Sequence, residues 1–149
     1  MSATLVVVDM QGCFDAANNP NVVIGVTQEI MLAKQQNSPI VLLEYEGCGK
    51  SHEGFSNLLR NYPWKTRVKK TDDDGSAEVI KALRRRGFSN DKLRLCGVNT
   101  DACVYATAEG LLKKLSDSQI EVVKNACGCQ VVGDVDWRKY LRHPNLKLV

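Results

Sequence analysis

The sequence has no long apolar run and no large excess of charge of one sign. The first apolar segment, Thr4–Val8, is followed at once by Asp9, and it is too short for a membrane span or for the hydrophobic part of a secretory signal. The formal net charge is only +3 at pH 7, whereas nucleic-acid binding usually needs a strong and clustered basic excess. We therefore expect a cytoplasmic protein that binds neither membranes nor nucleic acid.

The sequence also lacks the cysteine and histidine patterns of zinc sites and disulfide frameworks. It has six cysteines but no C-x-x-C pair, and its two histidines, His52 and His143, lie far apart. Cytosolic cysteines stay reduced, and this set does not have the ligand spacing of a metal centre. We predict reduced thiols, no metal and no cofactor. A redox role for Cys127 and Cys129 is an alternative that the flanking residues disfavour, because they are typical of a loop after a strand.

Alternating apolar runs and helical patterns predict one α/β domain over residues 1–149. The run Leu5–Val8 has the continuous, β-branched character of a strand buried on both faces. Strands that alternate with helices form parallel βαβ units, so we expect a three-layer, doubly wound, mainly parallel sheet. The predicted strands are Ala3–Met10, Ile40–Leu43, Thr66–Lys70, Leu93–Gly97, Ile120–Lys124 and Leu146–Val149; the predicted helices are Val22–Gln36, Gly54–Asn61, Ser76–Gly87, Thr100–Leu115 and Asp134–Leu141, with Ser76 and Thr100 as helix caps.

Cys103 is the first candidate for chemistry, because it follows a predicted strand and lies at the start of a predicted helix. If Thr100 caps that helix, Cys103 falls in the first turn, where free N–H groups and the helix dipole stabilise a thiolate and lower the thiol pKa. The same N–H groups could hold an oxyanion. The alternative is a small buried side chain that packs the helix on the sheet, as many free cysteines do. Cys96 lies within an apolar strand and fits that alternative.

Two further strand ends bring charged groups to the same edge of the predicted sheet, where ligands bind. Asp9 ends the first strand, and its carboxylate could take a proton from a thiol and later return it to a leaving amine. A turn or capping aspartate is the alternative. Lys69 and Lys70 end another strand, and an ammonium there would keep Asp9 and Cys103 ionised. Either lysine could play this part, and two solvated surface lysines are the alternative.

Two motifs resemble those of a known family. Asp9-Met-Gln-Gly-Cys-Phe14 resembles the D-x-Q-x-x-F motif of the isochorismatase-like cysteine hydrolases, which include the nicotinamidases. Gly97-Val-Asn-Thr-Asp-Ala-Cys-Val104 resembles that family's G-x-x-T-D-x-C-V nucleophile segment. The similarity runs in order from about Leu5 to Asn125. It implies the isochorismatase-like hydrolase fold, which agrees with the α/β prediction above, and it implies a homo-oligomer.

The resemblance also implies roles for individual residues. Asp9, one lysine and Cys103 would form the catalytic triad. The spacing to the Asp-Asp-Gly-Ser turn favours Lys70, and strand alternation would place Lys69 on the opposite side. The peptide bond between Val98 and Asn99 would be cis, and the N–H groups of Asn99 and Cys103 would form the oxyanion hole. The activity implied is hydrolysis of a small-molecule amide or related C–N bond through a thioester on Cys103.

The sequence departs from the family pattern in two places. An aromatic residue commonly follows the lysine, but Thr71–Ser76 has none. Nicotinamidases carry an aspartate and two histidines for a metal after the second strand, and Glu44, Glu46 and His52 stand in that region here. These departures argue against a metal of that kind and against nicotinamide as the substrate. They also motivate an alternative function, a non-catalytic binding or scaffold protein with the same fold.

Three aromatic residues are candidates for the apolar walls of a substrate pocket. They are Phe14, Tyr45 and Trp64, and each of them could instead belong to the core.

Overall fold

The structure is a computed structural model that describes residues 2–130 and 135–149. Six strands of these residues form one sheet, all parallel, in the order β3-β2-β1-β4-β5-β6. The strands are β1 (Thr4–Val8), β2 (Ile40–Tyr45), β3 (Lys65–Lys70), β4 (Lys92–Val98), β5 (Gln119–Gly128) and β6 (Leu146–Leu148). The helices are α1 (Pro20–Gln35), α2 (Glu53–Leu58), α3 (Ser76–Arg86) and α4 (Cys103–Lys114), with short 3-10 helices at Asp15–Asn18 and Tyr140–Arg142.

Helices cover both faces of the sheet, which confirms the doubly wound α/β prediction. All five side chains of β1 are buried, because alternate residues face different layers. Leu5 and Val7 pack with the apolar face of α1, whereas Val6 and Val8 pack with α3 and α4. A continuous apolar strand is therefore what the centre of this sheet requires.

The strand order reverses between β1 and β4. From β1 the chain builds outward through β2 and β3, and it then returns to the other side of β1 to build β4, β5 and β6. The carboxyl ends of β1 and β4 flank this switch point, where open α/β sheets bind their ligands. The residues that follow those two strands begin with Asp9 and Asn99.

The predicted helix caps at Thr100 and Ser76 are both wrong. Helix α4 begins at Cys103, because the Thr100 N–H donates to the Gly128 carbonyl at 2.9 Å and continues the strand pairing. In α3 the residue before the first turn is Gly75, and the Ser76 hydroxyl accepts a hydrogen bond from Lys114 instead.

The segment predicted as a helix at Asp134–Leu141 does not form one where it is described. Only Tyr140–Arg142 forms a single 3-10 turn, and Asp134 lies outside the described residues. The Asp136 carboxylate accepts hydrogen bonds from the backbone and side chain of Arg138, and such local bonds compete with helical ones. The predicted final strand is present as β6. Among the described residues, no helix combines the length and apolarity needed to cross a bilayer.

Candidate active site

Asp9 occupies the end of β1 with an unusual backbone. Its φ is +52°, a left-handed conformation that aspartate tolerates better than most residues. The Asp9 N–H donates to the Leu43 carbonyl of β2 at 2.9 Å. The residue is only 1% exposed, so its carboxylate is fixed at the switch point and shielded from solvent.

Gly97 brings β4 close enough to β1 for the two strand ends to share a site. Its φ is +117°, and a Cβ there would lie 2.1 Å from the Val8 carbonyl oxygen, so no other residue fits without a shift of the backbone. The next peptide bond, between Val98 and Asn99, is cis, as the resemblance implies. The chain then turns through residues 99–102 and starts α4 at Cys103.

Lys70 connects the two strand ends. Its Nζ lies 3.1 Å from Oδ2 of Asp9 and 3.3 Å from Sγ of Cys103, and it donates to the Asp72 carbonyl at 2.9 Å. An ammonium has three protons to donate, so these acceptors account for all of them. The Tyr45 ring lies against the same ammonium, with its centroid 4.3 Å from Nζ.

Lys70 and its neighbour Lys69 have opposite environments. Lys70 is 1% exposed, whereas Lys69 lies on the exposed side of the edge strand, as strand alternation predicts. Gly75 leaves the space that Lys70 needs, because a Cβ at that position would lie 2.7 Å from Cδ of the lysine. Of the two candidate lysines, the structure brings Lys70 into the site.

The Cys103 thiol differs from the sequence prediction in its protonation. Burial, together with the hydrogen bond and negative charge of Asp9, raises the pKa of Cys103 to about 12, although Lys70 acts in the opposite direction. The predicted lowering of the thiol pKa is therefore wrong, because desolvation outweighs the helix terminus. Burial also raises the pKa of Asp9 above 3.8, against the opposing effects of Cys103 and Lys70. At neutral pH the sulfur carries its proton.

Asp73 is a residue that the sequence prediction missed. The Cys103 Sγ donates to Oδ1 of Asp73 at 3.6 Å. Three consecutive aspartates follow Thr71 in the sequence, but that pattern does not indicate which of them contacts the sulfur. The nucleophile candidate thus lies between two carboxylates, one buried and one exposed.

Several polar groups at this edge of the sheet have no hydrogen-bond partner among the described residues. They include the side-chain oxygen of Asn99 and the hydroxyl of Thr100. Buried polar atoms are normally paired. The unpaired atoms are what a polar ligand or water at the site would satisfy.

Two of the predicted wall residues lie near the site. Phe14 and Tyr45 form an edge-to-face pair with ring centroids 6.2 Å apart, and Tyr45 contacts Lys70. Gln11 holds the segment after β2 in place, because its amide accepts from the Tyr45 N–H and donates to the carbonyls of Tyr45 and Gly49. This is a structural role for the glutamine of the first motif.

The prediction for Trp64 is contradicted. This residue immediately precedes β3, and its carbonyl accepts a hydrogen bond from the N–H of Ile40 at the start of β2. It therefore lies at the amino-terminal edge of the parallel sheet, whereas Cys103 lies at the carboxyl-terminal edge. Its side chain is 49% exposed.

The residues at the positions expected of metal ligands do not fit a metal. Glu44 pairs with Arg67 at 3.0 Å and accepts from the N–H and hydroxyl of Ser51. His52 lies 2.7 Å from the Ala17 carbonyl through Nε2, and Glu46 is exposed. In the described ranges no group of three or more histidine, cysteine or acidic side chains could hold a metal ion.

The segment around Cys127 is not the loop that the sequence predicts. Strand β5 continues to Gly128, and Cys127 pairs with Gly97 of β4 in the register. Burial raises the pKa of the Cys127 thiol to about 12. A thiol of this kind is poorly suited to redox exchange, since the thiolate is the reactive form.

Solved structures with the same architecture cover nearly the whole chain. The nicotinamidase/pyrazinamidase PncA from Bacillus subtilis has a TM-score of 0.80 with 17% identity, over 99% of each chain. N-carbamoylsarcosine amidase from Thermoplasma acidophilum has a TM-score of 0.75 with 22% identity, over 99% of this chain and 95% of that one. An isochorismatase from Pseudomonas putida KT2440 has a TM-score of 0.69 with 16% identity, over 84% and 70%.

The chain has the isochorismatase-like fold. No family model matches it, and no curated protein matches its sequence, so at these identities the likeness establishes the fold. At the switch point of this fold, the Lys70 ammonium contacts both the Asp9 carboxylate and the Cys103 sulfur.

Proposed function

We propose that the protein hydrolyses a small amide or related C–N bond through a thioester on Cys103. The observation that carries the proposal is the position of Lys70, whose ammonium contacts both the Asp9 carboxylate and the Cys103 sulfur in a buried setting. Similar structures named as nicotinamidases and as an N-carbamoylsarcosine amidase support the same class of reaction.

The raised pKa values of Cys103 and Asp9 fit a step in which one proton moves between them. The resting sulfur carries a proton, and Asp9 accepts it as the sulfur forms a bond to the substrate carbonyl carbon. A base with a raised pKa is better matched to this task than an ordinary aspartate. Lys70 stabilises the negative charge that develops on sulfur during the attack.

The tetrahedral intermediate places negative charge on the former carbonyl oxygen. The N–H groups of Asn99 and Cys103 are the proposed donors, and neither donates to another backbone group in the described part of the chain. One well-aimed donor of this kind contributes about 3 kcal/mol. Asp9 then gives its proton to the departing amine, the carbonyl re-forms, and water attacks the thioester to release the acid and restore the thiol.

The test is a panel of small amides and ureides, with release of ammonia or amine as the readout. We expect wild-type protein to turn over at least one member and Cys103→Ala to lose that turnover with its fold intact. Cys96→Ala is the matched control, because it removes a buried thiol from the neighbouring strand. Unchanged turnover by Cys103→Ala would refute the covalent role.

A binding protein with this fold is the second candidate, and the thiol itself favours it. Cys103 is only 6% exposed and its pKa is raised to about 12, so it is a poor nucleophile unless Asp9 assists. For a binding protein, members of the panel would raise the Tm of wild-type protein and of Cys103→Ala equally, with no release of amine.

A further inference from the structure

Asp73 contacts the Cys103 sulfur through its carboxylate, and it takes part in no ion pair among the described residues. Of the three consecutive aspartates, Asp74 lies 3.8 Å from Lys114 and accepts from the Ser76 N–H, and Asp72 contacts Lys70 only through its backbone carbonyl. Asp73 instead accepts from the Cys103 thiol. None of the ion pairs in the described ranges includes Asp73, and the residue is exposed.

The charges that contact the sulfur do not cancel when Asp9 is ionised. Lys70 supplies one positive charge, which Asp9 matches at 3.1 Å. Asp73 then adds a negative charge at the solvent side of the same sulfur, 3.6 Å away. Asp101 is also exposed near the start of α4, and Lys139, which donates to the Asp101 carbonyl, lies over the Tyr105 ring. Among residues 2–130 and 135–149, no cation therefore pairs with Asp73.

An unpaired buried atom provides a separate indication of the ligand. The side-chain oxygen of Asn99 accepts hydrogen bonds, and it has no donor within the described part of the chain. A ligand with an N–H group would satisfy it. A carboxylate or phosphate ligand would leave it unpaired and would face the charge of Asp73.

We infer that Asp73 selects substrates that carry a positively charged amino or guanidinium group close to the scissile C–N bond. This inference rests on the proposed function, because it names the substrate class of the same site. The Asp73 carboxylate attracts the cationic group of the substrate at the entrance of the site. It takes no part in the proton transfer between Cys103 and Asp9. A unit charge at this range, near the surface, changes affinity about tenfold.

The first experiment measures charge selection without turnover. The probes are 2-aminoethyl and 2-sulfonatoethyl methanethiosulfonate, which carry opposite charges and each convert a thiol to a mixed disulfide with release of methanesulfinate. Modification of the Cys103 peptide is followed by mass spectrometry in wild-type protein, Asp73→Asn and Asp117→Asn. The last variant removes the same charge from an exposed position beyond the other end of α4.

We expect the cation-to-anion rate ratio at Cys103 to fall about tenfold in Asp73→Asn and to stay unchanged in Asp117→Asn. An equal ratio in wild-type protein and Asp73→Asn would overturn the inference. An equal fall in both variants would also overturn it, because the effect would then belong to net charge.

The second experiment uses a matched pair of substrates, a cationic amide and its neutral isostere. In Asp73→Asn we expect KM for the cationic amide to rise about tenfold, with kcat and the neutral substrate little affected. An equal loss of kcat for both substrates would contradict selection and indicate a base. If no amide is hydrolysed but the reagent ratio still falls, the proposed function fails while charge selection at Cys103 stands.

Discussion

The Nζ of Lys70 lies 3.3 Å from the Sγ of Cys103, although 33 residues separate them in the chain. Lys70 ends the edge strand β3, and Cys103 begins α4 after the inner strand β4. The lysine side chain reaches Asp9 at the end of β1, and its ammonium contacts both the Asp9 carboxylate and the sulfur. This reach depends on a parallel sheet, which gathers the carboxyl ends of its strands at one edge.

Replacing Lys70 should remove most of the activity. In Lys70→Met, the charge that stabilises the developing thiolate is lost, and we expect kcat to fall about 10²- to 10³-fold. Lys69→Met is the matched control on the same strand, and its exposed side chain predicts wild-type turnover. Equal activities of the two variants would show that the buried ammonium has no part in the reaction.

The effects of the Lys70 and Asp9 substitutions on the free energy of unfolding should not be additive. Lys70→Met leaves a buried carboxylate without its cation, which typically costs about 3–5 kcal/mol. The double variant Asp9→Asn/Lys70→Met has no buried charge, so we expect its free energy of unfolding in urea to recover most of that loss. Its turnover should remain absent. A double variant that is no more stable than Lys70→Met would indicate that the pair is not coupled.

Most of this site could be predicted from the sequence because the relevant signals are local. Asp9 and Cys103 follow apolar strands, and the alternation of β3 distinguishes Lys70 from Lys69. Asp73 was missed because its contact with Cys103 depends on how the turn after β3 folds over the sheet edge, and no pattern specifies that. Trp64 was misplaced because an aromatic residue near a strand gives no information about which end of the strand faces the ligand.

The protonation of Cys103 was mispredicted for an energetic reason. Its position at a helix start is readable from the sequence, and that position favours a thiolate. Its burial and the neighbouring Asp9 carboxylate are tertiary features, and together they shift the pKa further in the opposite direction. The helix start itself was placed three residues too early, because Thr100 extends the pairing with β5.

The reactivity of Cys103 should depend on pH in a distinctive way. With a pKa of about 12, the thiolate fraction increases tenfold for each pH unit between pH 6 and 10. A cysteine with the ordinary value of 9.0 would level off within that range. We expect alkylation of Cys103 by iodoacetamide, followed at the peptide level, to keep rising to pH 10. A plateau below pH 9 would contradict the raised pKa.

The kcat/KM for hydrolysis should decrease at low pH, because the base is Asp9. Asp9 acts as the base only when it is ionised, and its pKa is raised above 3.8 by burial. As the pH falls through that raised value, Asp9 becomes protonated and kcat/KM should decline. Asp9→Asn should remove most of the activity and, with it, this decline at low pH. If the variant keeps the wild-type rate and the same decline, the base is another residue.

Gly97 should be the least replaceable glycine at the site. Gly97→Ala adds a Cβ 2.1 Å from the Val8 carbonyl in a left-handed backbone, and we expect a loss of about 2 kcal/mol or more in the free energy of unfolding. Gly54→Ala is the control, since α2 has open space there, and alanine should stabilise it by up to about 1 kcal/mol. Equal effects in urea unfolding would contradict the close approach of β4 to β1.

A thioester on Cys103 should be detectable by trapping the covalent intermediate during turnover. A substrate from the amide panel is mixed with wild-type protein, the reaction is quenched in acid during turnover, and the protein is analysed by mass spectrometry. We expect an added mass equal to the acyl part of the substrate, located on the Cys103 peptide and absent in Cys103→Ala. Steady turnover with no such adduct, at a rate that Cys103→Ala retains, would contradict it.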